Sequence, residues 1–187
     1  MGQLALLTTL DVSRNHLSSL PSSLSSLSSL TTLDLSHNQL TLLPPCLTSL
    51  PSLRPLSLTS NRLSSLPSTL GTLLTTLQGL YLANNLLTSL PSYLSSCLAL
   101  KELYVDHNPL THLPATITSL PHLSILSLTA TLVSCLPALP SVSPLRVQAE
   151  RCPRLASVPY LLGCQQSLIN MCQAAGWARP AQVPHLP

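Results

Sequence analysis

Leucine and asparagine return along this chain on a shared beat of about 23 residues, and that beat limits the possible folds more than any other feature. One unit, 30–52, reads LTTLDLSHNQLTLLPPCLTSLPS. Its recurring leucines stand at Leu30, Leu33, Leu35, Leu40, Leu43, Leu47 and Leu50, with Asn38 between the third and fourth and Pro44 after the fifth. Units open at Leu7, Leu30, Leu53, Leu77, Leu100 and Leu123, so successive intervals are 23, 23, 24, 23 and 23, the extra residue falling within 66–76. The asparagines keep step at Asn15, Asn38, Asn61, Asn85 and Asn108. In the sixth unit Thr131 takes the asparagine position, and the ladder is expected to end there. A unit this short cannot bury its own apolar face, so stacked neighbours must share one core.

The letters of one unit say how it turns. Alternation in Leu33-Asp34-Leu35 is strand-like and sends the leucines inward and Asp34 outward. Asn38 then bends the chain, its side-chain amide offering donors and an acceptor to backbone groups that the bend leaves unpaired. Leu43-Pro44 directs a return path of short extended or 3₁₀-like pieces rather than full helix. Strands stacked about 4.8 Å apart make a parallel sheet on the concave side. The serine-rich tracts line the convex side.

This spelling, Leu-x-x-Leu-x-Leu-x-x-Asn-x-Leu-x-x-Leu-Pro, resembles the leucine-rich-repeat family over residues 1–162. The 23-residue form with Leu-Pro in its second half is similar to the intracellular repeats of Scribble-type and Ras-pathway scaffold proteins. The resemblance implies an α/β-class leucine-rich-repeat solenoid with a parallel concave sheet and short convex segments. It divides 1–162 into a partial repeat at 1–6, six repeats at 7–143 and a degenerate repeat at 144–162. In that last repeat Val147, Ala149, Leu155, Val158-Pro159 and Leu162 fill apolar positions, and Cys152 stands where asparagine belongs. Cys164, Leu168, Met171 and Cys172 fall on one helical face, so a capping helix is expected over 163–176, with Gly176 as its stop. A proline-rich, disordered tail follows at 177–187.

At the other end, Met1 and Leu4 fall on leucine positions, so the array opens mid-repeat and exposes a sheet edge. Either this is a piece of a longer array, which is the favoured reading, or a partner or second copy covers that end.

Composition excludes several classes. Charged residues make up 7% of the chain, against about 25% in an average globular protein. The surface is therefore built from serine and threonine. Net charge is +3 without a basic run, which argues against nucleic acid or an anionic membrane. Mean hydropathy is high at +0.39, but polar residues break every apolar run short of the roughly 18 residues a membrane span needs. Position 6 is Leu6 where a myristoylation motif wants serine or threonine. The first ten residues are also too short an apolar run for a signal peptide. Without an Asn-x-Ser/Thr sequon and with six unclustered cysteines, the chain reads as cytoplasmic.

What remains is a surface. The third, fifth, seventh, eighth and tenth positions of each repeat are expected to project from the concave side. Two polar zones result. One holds Asp11, Arg14, His16, Asp34 and His37. The other, in the fourth and fifth repeats, holds Tyr81, Asn84, Glu102, Tyr104, Asp106 and His107. Partner contact is placed at the second zone, because tyrosine is enriched among interface anchors. The plain alternative is that Tyr81 and Tyr104 fill a β column, where tyrosine packs well.

Asp11, Asp34 and the two histidines could be pictured as metal ligands, but Arg14 would neutralise the carboxylates and a solvated polar face is the reading taken. No metal and no cofactor are assigned. An open sheet offers no pocket to retune paired aspartates as acid and base. Serine is too abundant for a Ser/His/Asp set to carry meaning, and neither Gly-x-Ser-x-Gly nor a glycine-rich phosphate loop is present. Cys97 and Cys152 read as core thiols, and a disulfide or zinc clamp among Cys135, Cys152, Cys164 and Cys172 is the alternative.

The chain is therefore expected to be a non-catalytic scaffold or adaptor for signalling, with a protein partner on the concave face and self-association possible through the N-terminal edge. Two alternatives stand beside it. One is the recognition arm of a larger signalling or ubiquitin-ligase protein. The other is a fragment of an extracellular receptor.

Overall fold

The computed structural model of the chain describes residues 5–43, 46–47, 50–67, 75–137 and 145–155. Among them seven three-residue strands form one sheet: β1 (Thr9–Asp11), β2 (Thr32–Asp34), β3 (Pro55–Ser57), β4 (Gly79–Tyr81), β5 (Glu102–Tyr104), β6 (Ile125–Ser127) and β7 (Arg146–Gln148). They lie side by side in chain order, every neighbouring pair parallel. Leu10 pairs with Leu33, Leu33 with Leu56, Leu56 with Leu80, Leu80 with Leu103, Leu103 with Leu126, and Leu126 with Val147. The repeat interval is thus the sheet register, and the last step falls two residues short of the usual 23.

Each strand puts its middle residue inward. Leu33, Leu56, Leu80, Leu103 and Leu126 are all buried, and so are the residues two further on, Leu35, Leu58, Leu82, Val105 and Leu128. Burial of a leucine side chain contributes on the order of 1.5–3 kcal/mol, so this shared interior is the principal stabilising element of every turn. Pro55 begins β3 within the sheet, where a missing N–H would ordinarily break the ladder. In the second, fourth, fifth and sixth turns the second- and third-position N–H groups both donate to one carbonyl, as Gln78 and Gly79 do to Arg54. At Pro55 the Arg54 N–H alone serves Thr31, at 2.9 Å, so little is lost.

On the opposite side run 3₁₀ helices at Ser22–Ser26, Ser92–Ser96 and Ala115–Ser119. Each follows a proline, Pro21, Pro91 or Pro114, whose φ of −69°, −72° or −64° is the value its ring dictates. Ser25, Ser26, Ser95 and Thr118 donate their hydroxyls to carbonyls three residues back, a local bond that competes with extended α-helix. The serine-rich tracts therefore make short convex turns, as expected.

The first repeat differs from the rest. Leu7, Leu10, Val12, Leu17 and Leu20 pack on the core yet stay half-buried, because among the described residues only the second repeat covers them. At the far end Val147, Ala149, Cys152 and Leu155 are buried. Met1, Leu4, Pro44, most of the segment with the extra residue, Val158-Pro159, Leu162, the expected capping helix at 163–176 and the tail lie outside the described residues.

Candidate functional site

The asparagine ladder holds the bend that carries the concave surface. Asn38 accepts from the Leu17 N–H at 3.0 Å, and its amide donates to the carbonyls of Val12 and Leu35 at 3.0 Å each. One side chain therefore joins two repeats. Asn61, Asn85 and Asn108 repeat the pattern and are buried. Asn15 reaches only Val12 and Ser13 in its own turn and is exposed.

The ladder does not stop at the sixth repeat. Thr131 is buried, its hydroxyl lying 3.5 Å from the Cys152 sulfur, and the Cys152 Sγ donates to the Leu128 carbonyl at 3.1 Å. A thiol takes over the amide's donor role across the repeat boundary, which corrects the expectation that the column ends at Thr131.

Just before each rung the backbone enters the left-handed region. Arg14, His37, Ser60, Asn84, His107, Ala130 and Arg151 have φ between 52° and 57°, and none is glycine. The eighth-position residues named from the sequence, Arg14, His37, Asn84 and His107, thus sit on this bend, past the strand ends, and are exposed. Asparagine accepts this conformation readily; alanine and serine do not. No sequence signal had marked the column as strained, because its residue type changes from turn to turn.

In the N-terminal zone β1 sets Asp11 beside Asp34 of β2. Each carboxylate caps its own bend, Asp11 accepting from the Ser13 N–H at 2.9 Å and Asp34 from the Ser36 N–H at 2.8 Å. The hydrogen bonds from Ser13 hold the Asp11 carboxyl below the ordinary aspartate value. His16 Nδ1 lies 3.3 Å from the Gln39 amide. Among the described residues no three His, Cys, Asp or Glu side chains come together to hold a metal ion.

The second zone is built more tightly. Tyr81 and Tyr104, register partners in β4 and β5, stack with ring centroids 5.3 Å apart and planes at 27°. The Tyr81 hydroxyl donates to Glu102 Oε2 at 2.7 Å. Burial, reinforced by that bond to a carboxylate, pushes the Tyr81 phenol up to about 12. Gly79 makes the pose possible: a Cβ there would stand 2.9 Å from the Tyr81 hydroxyl and 3.0 Å from its ring. The ring lies where only glycine leaves room. Gly79 was missed in the sequence, although a glycine two residues before a strand tyrosine was the available signal.

Asp106 has a structural tie. Its Oδ1 accepts from the Thr129 N–H at 2.8 Å and from the Ser127 hydroxyl, joining the fifth repeat to the sixth. On the convex side Tyr93 reaches back to the Pro67 carbonyl at 2.6 Å, and burial raises its phenol to about 12 as well. Cys46, Cys97, Cys135 and Cys152 are free thiols; Cys97 and Cys152 are buried, as expected, and Cys135 is exposed. Cys164 and Cys172 lie outside the described residues.

The leucine rich repeat family matches residues 5–63 and, overlapping, 51–110. The chain belongs to the leucine-rich-repeat family. Solved leucine-rich-repeat structures resemble it along most of its length. The leucine-rich-repeat domain of the type III effector XopL is 27% identical, with a TM-score of 0.73 over 84% of this chain and 57% of that one. A leucine-rich-repeat protein of Leptospira interrogans is 30% identical, with a TM-score of 0.60 over 72% of this chain and 40% of that one. The plant peptide hormone receptor RGFR1, solved in complex with RGF2, is 28% identical, with a TM-score of 0.65 over 82% of this chain and 24% of that one. The chain thus spans 40%, 57% and 24% of the Leptospira, XopL and RGFR1 chains. Among curated proteins no sequence matches it. The repeats form a fold commonly used as a protein-interaction module, and among the described residues no helix is long and apolar enough to cross a membrane.

Proposed function

We propose that this chain is a non-catalytic interaction module that offers its concave sheet to a protein partner, with Tyr81 and Tyr104 at the centre of contact. The observation that carries the reading is the stacked tyrosine pair on an open sheet, laid over Gly79. Two rigid aromatic rings already stacked lose little conformational freedom on binding, and tyrosine is enriched where partners anchor. Asn84, Glu102, Asp106 and His107 border the pair, and Asp11, Arg14, Asp34 and His37 extend the surface toward the first repeat. The peptide hormone receptor shares this fold with a bound complex partner, which supports the use of such a surface without transferring its ligand.

The Leu-Pro repeat type, similar to that of intracellular scaffolds, and the free thiols at Cys46, Cys97, Cys135 and Cys152 are in keeping with an adaptor for cytoplasmic signalling. A photo-crosslinking amino acid placed at Tyr104 should capture protein from a cell extract, whereas the same group at Ser25 on the convex side should not. Equal capture from both positions, or capture from Ser25 alone, would remove the concave assignment.

Self-association is a second reading, favoured by the half-buried leucines of the first repeat and by Leu6, which is 79% exposed. Sedimentation would then show concentration-dependent dimers that Leu10→Lys abolishes; a monomer at all concentrations would dismiss it.

A further inference from the structure

We propose that the tyrosine pair and Glu102 receive an arginine side chain carried on an extended segment of the protein partner. The inference rests on the concave-face reading and adds the chemistry of what docks there. Stacked phenol faces present negative quadrupole density, which attracts a cation, and guanidinium is the cation that also stacks flat. Beside the rings stands a carboxylate that is only partly engaged. Tyr81 donates to Glu102 Oε2, which leaves Oε1 and a further lone pair for the guanidinium fork.

Charge placement across the sheet agrees. The chain has five carboxylates, Asp11, Asp34, Glu102, Asp106 and Glu150, and all five fall at the third, fifth or seventh position of a repeat. In the fourth and fifth repeats, which carry the rings, no lysine or arginine occupies a concave position; the concave cations Arg14, Arg62, Arg146 and Arg151 stand in the first, third and seventh repeats, and Arg54 and Lys101 at the second position. A protein whose net charge is +3 therefore keeps its acidic side chains for one face. Beside the rings, where Glu102 and Asp106 stand and no lysine or arginine shares the face, an acidic segment would meet repulsion and a basic segment would be drawn in.

The test is a titration of the whole chain followed through its tyrosine ring resonances, assigned with Tyr→Phe variants. An octapeptide of alternating arginine and serine should shift Tyr81 and Tyr104 saturably and leave Tyr93 unmoved. The lysine counterpart should bind more weakly, and the glutamate counterpart should give no response. Glu102→Gln keeps an acceptor for the Tyr81 hydroxyl, so the fold should stand while affinity for the arginine peptide falls roughly five- to tenfold. An equal response to the glutamate peptide, or unchanged affinity in Glu102→Gln, overturns the proposal. Crosslinking of a partner through residue 104 with no response to the arginine peptide would leave the docking face in place and sink only its cationic chemistry.

Discussion

The asparagine rungs show how one side chain can act in two repeats at once. Removing the Asn61 amide strands the Leu40 N–H in the interior and takes one of two donors from each of the Leu35 and Leu58 carbonyls, which keep the amides of Asn38 and Asn85. Asn61→Ala should therefore lower unfolding free energy in denaturant by about 2–3 kcal/mol. Asn15→Ala, at an exposed rung, should cost only a few tenths of that. Equal losses would show that the bond across repeats adds nothing. The left-handed bend offers the opposite change: Ala130, at φ 57°, sits where a Cβ is unwelcome. Ala130→Gly should raise stability by about 0.5–1 kcal/mol in the same assay, relief of strain exceeding the added freedom of the unfolded chain. Alkaline titration supplies a third check. The neutral phenol is the form favoured by folding at Tyr81 and Tyr93, both raised to about 12 from 10.0. Their contribution is fully present below pH 10.0 and is lost as pH climbs through about 12. Tyrosinate absorbance should show two late-titrating groups in the folded protein; a single transition near the ordinary value would contradict the burial and bonding described.

Strands of three residues, as here, are too short to persist alone, and each depends on inward leucines shared with its neighbours. Leu58 follows β3 with no exposed surface, so Leu58→Ala should cost roughly 2–5 kcal/mol as an internal cavity. Its outward neighbours are held differently. Gly79→Ala puts a methyl group into the space of the Tyr81 ring, which must swing out or shift β4. The expected result is loss of the high-pH tyrosine transition assigned to Tyr81, read by comparing the variant's titration with that of Tyr81→Phe. An unaltered transition would mean that the ring does not need the glycine. Tyr104→Ala, by contrast, removes a stacking partner from the surface, and the fold should lose no more than about 1 kcal/mol.

Over the whole molecule, stability should follow the number of covered faces. Interior turns are covered on both sides, and their N–H groups at Leu35, Leu58, Leu82 and Val105 donate to the next strand. The first turn keeps its leucines half-buried. Native-state amide exchange should be slowest at those four residues and quickest in the first repeat, a gradient typical of quasi-one-dimensional arrays. Uniform protection from the first repeat to the sixth would require a cover on the N-terminal side.

Leucine spacing by itself determined the register, the inward face and the convex 3₁₀ turns, because apolar burial and the proline ring act locally and repeat with the chain. The tyrosine column was legible for the same reason: residues one interval apart must become neighbours once the turns stack. What only the tertiary structure decided depends on contact between turns. The asparagine amide reaches into the preceding repeat, Cys152 extends its ladder, the eighth position takes a left-handed bend whatever residue stands there, and the Tyr81 ring reaches over Gly79, which leaves space for it. Each is a matter of distance and direction across a repeat boundary, fixed only when two copies of the pattern pack against each other.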